Sequence, residues 1–420
     1  MLRTLPSCIY LFVLLFANNI SLILESNGCE GGKNAEAAGR IRGLDDTLSS
    51  EDEWLRGMEA EAGAPGNSGE GGHDERDELS FWRWRKHHHR RRGLSPLEKV
   101  FAAQPSRISA RENLKFLAQN PHMAGTEQDG ILGEWMKVQF KKLGADDAWV
   151  DPVDAFLSYP RFRPRLALMG SNEFVYFEAK LSEDILSSDA TSDTIYRNHT
   201  FNGYARSGNV RGRLVYANFG TPEDFDVLKK FNVTVRNSIV LMRYGKCFRG
   251  LKAMNAQMRG AVGAVIFSDP HEDGYSVGPT YPNGPWRPAS SVQRGSVQFN
   301  SLCAGDPRRT ASNDTFEKCG YLPGDLVPRI PVLPISYEDA LPLLRDLEGP
   351  FSPPEFVGTL QVAYKLGPSA HLALLSVKNQ YSIEKIYNTF AIFKGVHHGT
   401  KRDRPLVIGN HRDAWVFGKE

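Results

Sequence analysis

Between residues 213 and 347 short apolar runs alternate with helical segments that carry their own start signals. That alternation limits the chain to an α/β or α+β architecture. Arg213-Leu-Val-Tyr-Ala-Asn, Ser238-Ile-Val-Leu-Met-Arg-Tyr-Gly and Ala264-Val-Ile-Phe-Ser-Asp-Pro have the texture of strands. Thr221 followed by Pro222 is an N-cap with proline at the first helical position, opening a helix through Phe225 and Leu228. Residues 252–258 predict a second helix, and Ile330-Pro-Val-Leu-Pro-Ile-Ser leads into a third from Tyr337 to about Leu347.

Upstream, Ser109 with Glu112 forms a capping-box pattern, predicting a helix that carries Leu114, Phe116 and Leu117. A loop follows, Asn120-Pro-His-Met-Ala-Gly-Thr-Glu-Gln. The next helix has an apolar stripe of Leu132, Trp135, Met136, Phe140 and Leu143 and ends at Gly144. Downstream, Ile386-Tyr-Asn-Thr-Phe-Ala-Ile-Phe-Lys-Gly reads as a strand and 405–410 as the next. Residues 96–156 and 383–420 are thus expected to be two parts of one domain, with 157–382 inserted between them.

The closing stretch carries the candidate chemistry. Leu406, Val407 and Ile408 predict a short buried parallel strand, broken by Gly409 and Asn410. His411 follows where ligands bind in open α/β sheets, beyond the carboxyl end of a strand. Asp413 could accept the imidazole proton not used for metal, fixing tautomer and orientation. Alone, such a tripeptide is more often a loop histidine beside a surface aspartate.

A chain of 420 residues has room for two to three domains, and an apolar fraction of 41% supports a real core. A net charge of +2 argues against nucleic acid as the main partner. Arg3 precedes an uncharged run from Cys8 to Ala17 and a second apolar run to Leu24, so 1–25 is either a signal peptide or a type II membrane anchor. Either places the chain in the secretory pathway, membrane-bound through this segment or secreted, with its ordered domains extracellular or lumenal. Residues 26–95 read as a disordered linker that includes a basic block with His87 to His89. A Cys303–Cys319 disulfide and glycosylation at Asn198, Asn232 and Asn313 would fit that compartment.

Pro121-His-Met-Ala-Gly-Thr-Glu-Gln, Arg243-Tyr-Gly-Lys-Cys-Phe-Arg-Gly, Asn255-Ala-Gln, Val292-Gln-Arg-Gly, Ala304-Gly-Asp-Pro, Ile386-Tyr-Asn and Gly409-Asn-His-Arg-Asp-Ala-Trp-Val-Phe-Gly occur in that order. With these motifs the chain resembles the glutamate carboxypeptidase II and transferrin receptor family of zinc exopeptidases. The resemblance implies a mixed sheet with flanking helices, interrupted by an inserted protease-associated (PA) apical domain. It also tilts the N-terminal segment towards an anchor and implies a homodimer.

His411 aligns with the family's first zinc-ligating histidine and Asp413 with the acidic residue that supports it. In active members Phe-Gly leads on to an Asp-Pro whose aspartate bridges two zinc ions; here Gly418 is followed by Lys419 and Glu420. Arg249 aligns with an arginine that holds the C-terminal glutamate carboxylate, a task suited to the guanidinium fork. Ser296 stands where those members have asparagine. The expectation is a zinc-dependent metallo-carboxypeptidase or dipeptidase releasing C-terminal residues, acidic ones among them, from extracellular peptides. The 420 residues, carrying one zinc ligand, are expected to be inactive by themselves. The alternative is a non-catalytic receptor-like or PA-domain binding protein.

Overall fold

The computed structural model describes residues 22–23, 94–307 and 324–415. Its first element is a two-residue strand, β1 (Leu22–Ile23). Two short helices follow, α1 (Pro96–Ala102) and α2 (Arg107–Leu117). The Ser95 hydroxyl and the Glu98 carboxylate cap each other's backbone at the start of α1. Ser109 does not open α2 as expected. Ser106 accepts the Ser109 N–H at 3.2 Å, so the same cap chemistry acts three residues earlier and Ser109 lies inside the first turn.

Helix α3 (Glu127–Lys142) is capped by Thr126 and buries Leu132, Met136 and Phe140. Leu143, expected on that stripe, is the C-cap and is exposed, because the helix ends before its side chain can turn inward. The buried face packs with Ala148 and Ala391. Those alanines belong to a long antiparallel ladder, in which β2 (Asp147–Pro160) carries the chain out of this layer.

Beyond β2 the chain builds a core of its own. Strands β3 (Arg165–Met169), β4 (Val175–Glu178), β5 (Asn202–Gly203) and β6 (Gly208–Tyr216) lead to helix α4 (Pro222–Lys230). Next come β7 (Ile239–Arg243), α5 (Arg249–Met258), β8 (Gly263–Phe267) and β9 (Gly295–Ser296). The body closes with β10 (Val332–Ile335), α6 (Tyr337–Arg345) and β11 (Leu372–Val377). Thr221 and Asp224 form a full capping box at the start of α4, with Pro222 in the first turn.

Seven of these strands form one mixed sheet in the order β10-β8-β7-β6-β11-β3-β4. The run from β10 to β6 is parallel; β11, β3 and β4 add antiparallel pairs. Every residue of β7 and β8 is buried, which explains why both read as unbroken apolar runs. The chain then returns on β12 (Asn379–Ile392), paired with β2 from Asn379↔Pro160 to Ile392↔Asp147. Trp149 and Phe390, opposite each other on this ladder, stack at 5.2 Å.

The last strand, β13 (Val407–Ile408), departs from expectation. It pairs antiparallel with β1, and Val407 is 45% exposed. A strand is buried on both faces only when layers cover both, and a two-residue partner supplies no such cover. Among the described residues no helix is long and apolar enough to cross a membrane; residues 1–21 of the expected targeting segment lie outside them.

One buried polar network braces the end of β7. Arg243 donates to Asn218 Oδ1 at 2.8 Å, to Glu272 Oε1 at 3.0 Å and to the Glu355 carbonyl at 3.1 Å. Burial pushes the Glu272 carboxyl up to about 7 against the pull of Arg243.

Leu241→Ala, in a fully buried strand, should lower unfolding free energy by about 2–5 kcal/mol, read from chemical denaturation. Glu272 holds its proton in the folded chain at pH values where the unfolded chain has lost it. Stability should therefore fall as pH rises from about 4.5 to about 7, and Glu272→Gln should remove that component of the slope.

Candidate functional site

The loop after β13 alternates what it shows and what it hides. His411 has a side chain 88% exposed, while that of Arg412 is 5% exposed. Asp413 Oδ1 lies 2.9 Å from His411 Nδ1. That hydrogen bond raises the imidazole pKa. Burial works against ionisation of the Asp413 carboxyl, yet with the His411 bond and the charge nearby its pKa is lowered. An imidazole that gives its Nδ1 proton to a carboxylate keeps the Nε2 lone pair for a cation.

What fixes the loop is Arg412. Its guanidinium donates to Asp129 Oδ1 at 2.5 Å, to the Tyr387 carbonyl at 2.6 Å and to Thr389 Oγ1 at 3.0 Å. Asp129 is the third residue of α3, and its other oxygen accepts the Gly125 N–H at 3.1 Å. The motif loop before α3 adds a second hold, as the His122 carbonyl accepts the Ala414 N–H at 3.3 Å. His122 itself is buried, its Nδ1 2.7 Å from the Asn120 carbonyl. Trp415 then reaches the inserted body, its ring 5.8 Å from that of Phe201, edge to face.

The second candidate group, Arg249, opens α5. The turn before it is held by Lys252, fully buried, which donates to the Phe219 carbonyl at 2.5 Å and the Gly245 carbonyl at 2.7 Å. Burial lowers the Lys252 pKa to about 8. Cys247 on the same turn is free and half-buried, and burial raises its thiol pKa, so it is a poor nucleophile. The half-buried Arg249 guanidinium lies over the Phe248 ring at 5.0 Å and flat against Gly295, where a Cβ would sit 2.5 Å from Cζ. Arg249 Nη1 meets the Ser296 carbonyl at 3.5 Å, while the Ser296 hydroxyl accepts the Gln298 N–H at 3.0 Å. The serine therefore meets the arginine through its backbone, and its hydroxyl shapes the turn.

Among the described residues no three His, Cys, Asp or Glu side chains gather as a metal site. His411 with Asp413 suits one ligand and its orienter; a catalytic zinc takes about three protein ligands. The described residues therefore do not fit a complete metal centre. Of the other sequence expectations, Cys303 is disulfide-bonded, while Cys319 lies outside the described residues. Asn198 is half-buried and Asn232 exposed; Asn313 and His87 to His89 also lie outside them.

Sequence reasoning missed Asp129, Arg412, Trp415 and Lys252. Arg412 and Trp415 stood in the closing motif without a role of their own, and Asp129 carried a carboxylate three residues after the cap residue Thr126, a signal that spoke of the helix start alone. Breaking a buried ion pair leaves a charge uncompensated. Asp129→Ala should therefore cost about 3–5 kcal/mol and speed hydrogen exchange at the Ala414 amide, measured by denaturation and mass spectrometry.

Comparison with known proteins gives these parts a context. A family model for the PA domain matches residues 210–298, which run from β6 through β9. A probable glutamate carboxypeptidase of Arthroderma benhamiae is 37% identical over 309 residues, 71% of this chain and 41% of that protein. A glutamate carboxypeptidase 2 homolog of Caenorhabditis briggsae is 32% identical over 326 residues, 73% of this chain and 41% of that protein. The chain thus spans about two fifths of the length of these relatives. A solved aminopeptidase from Aneurinibacillus sp. strain AM-1 overlaps at TM-score 0.34 with 17% identity, covering 67% of this chain and 46% of that one. Over nearly three quarters of its length, this chain resembles the glutamate carboxypeptidase family, with a PA domain set into a mixed α/β frame.

Proposed function

We propose that this chain contributes to zinc-dependent release of C-terminal residues from extracellular peptides, with glutamate or another acidic residue in the terminal position. The observation that carries the reading is the His411–Asp413 pair at 2.9 Å, on a loop whose neighbouring arginine is locked into the fold. The names of the relatives support the reaction class and the acidic residue. His411 is the proposed zinc ligand through Nε2, Asp413 holds its ring, and Arg249 is the proposed fork for the terminal carboxylate. Zinc supplies Lewis-acid chemistry in such sites; with one ligand among the described residues, no catalytic step is assigned to this chain. Placement in the secretory pathway, attachment through the N-terminal segment and homodimer formation belong to the same proposal, supported by the apolar run from Cys8 to Leu24 and the glycosylation triplets.

A second reading, a non-catalytic receptor-like or PA-domain binding protein, draws on the single metal ligand among the described residues. The two separate in one experiment. In protein labelled with 15N-histidine, equimolar zinc should shift the His411 Nε2 resonance, and His411→Ala should remove that signal. Binding of a glutamate-terminated peptide with no zinc response at His411 would favour the binding protein. The 420-residue chain is expected to release no glutamate from that peptide, because one histidine does not hold a metal pair; zinc-dependent release would overturn the single-ligand assignment.

A further inference from the structure

The two candidate groups, His411 and Arg249, sit on segments far apart in sequence, yet one small piece of backbone touches both Arg249 and Trp415, four residues after His411. Strands β5 and β9 pair in parallel over two residues each, Asn202 opposite Gly295 and Gly203 opposite Ser296. The bridge is buried and tightly wired. Asn202 Nδ2 donates to the Gly295 carbonyl at 3.1 Å, and the Val297 N–H donates to the Gly203 carbonyl at 2.9 Å. Asn379, the first residue of β12, donates from its side chain to the Asn202 carbonyl at 3.0 Å and the Ala205 carbonyl at 3.2 Å.

Each strand of the bridge uses a glycine to receive a flat side chain. On β5, a Cβ at Gly203 would collide with the six-membered ring of Trp415. On β9, a Cβ at Gly295 would collide with the guanidinium of Arg249, and Gly295 takes φ +139°, where a side chain is strained. Trp415 is two residues after Asp413. The histidine loop therefore ends on one strand of the bridge, and the arginine rests on the other.

From this geometry we infer that the β5–β9 bridge couples carboxylate binding at Arg249 to the placement of the His411 loop, with Trp415 seated on Gly203 as the positioning residue. The inference rests on the reading of Arg249 as the carboxylate fork. A carboxylate drawing the guanidinium off Gly295 shifts β9, and the parallel hydrogen bonds carry that shift to Gly203 and the indole upon it. Such coupling needs a continuous packed path, and Arg249, Gly295, Asn202, Gly203 and Trp415 supply one.

The test uses the full chain with its seven tryptophans replaced by 5-fluorotryptophan, Trp415 being assigned in the 19F spectrum by Trp415→Phe. L-Glutamate is the probe. Titration should move the Trp415 line saturably in the wild type, and Arg249→Ala should abolish the movement. Gly203→Ala, which unseats the indole, should shift that line before any ligand is added. It should also remove the glutamate response and weaken glutamate binding at least about twofold. Arg249-dependent binding with a still Trp415 line, or an unchanged affinity and response in Gly203→Ala, would overturn the coupling and leave the reading of Arg249 standing. No glutamate binding in the wild type would overturn both. The wild-type titration decides the matter even if Gly203→Ala fails to fold.

Discussion

The ion pair between Arg412 and Asp129 is the contact on which the candidate site depends. Two charges withdrawn from water are costly, and their mutual attraction offsets that cost only when the remaining hydrogen-bonding atoms also find partners. Here Asp129 gives one oxygen to Arg412 and the other to the Gly125 N–H, and the guanidinium also reaches β12 through the Tyr387 carbonyl and Thr389, while its buried Nε finds no partner among the described residues. One side chain thus fastens α3, β12 and the terminal loop together. Arg412 is buried in this contact, and His411 beside it stays exposed, where a ligand can reach it.

The PA domain repeats this logic with different groups. Lys252 and Arg243 are buried cations whose partners are mostly backbone carbonyls and short polar side chains. A carbonyl hydrogen bond is directional, so these cations fix the path of the turn between β7 and α5 more closely than apolar packing would. Apolar residues of similar volume would spare the desolvation cost of Lys252 and leave the Phe219 and Gly245 carbonyls without that partner. The exchange keeps the turn in one shape, and that shape delivers Arg249, three residues before Lys252, to Gly295.

How much of this was legible depended on whether the cause was local. Strands β7 and β8 announced themselves because burial on both faces demands unbroken apolar runs, and Thr221-Pro222 marked its helix because a cap acts within four residues. The Ser109 cap misled because Ser106 offers the same hydroxyl to the same helix end, and spacing does not choose between them. At β13, three apolar residues specify a strand but not the neighbours that would bury it. The His411–Asp413 pair was legible as a spacing and, through the family resemblance, as a role. The Arg412–Asp129 pair was not, since its partners stand 283 residues apart and both are residue types that usually face water.

The loop's two anchors differ in kind, and that difference defines what the site can do. Arg412 is buried and held by several directional bonds, so its charge is little screened by salt. Trp415 is held by an aromatic edge contact and a close glycine seat, contacts of shape rather than of charge. Asp413 lies between the two anchors. The orientation of His411 is then set jointly: the ion pair fixes where the loop lies, and the Asp413 carboxylate holds the ring.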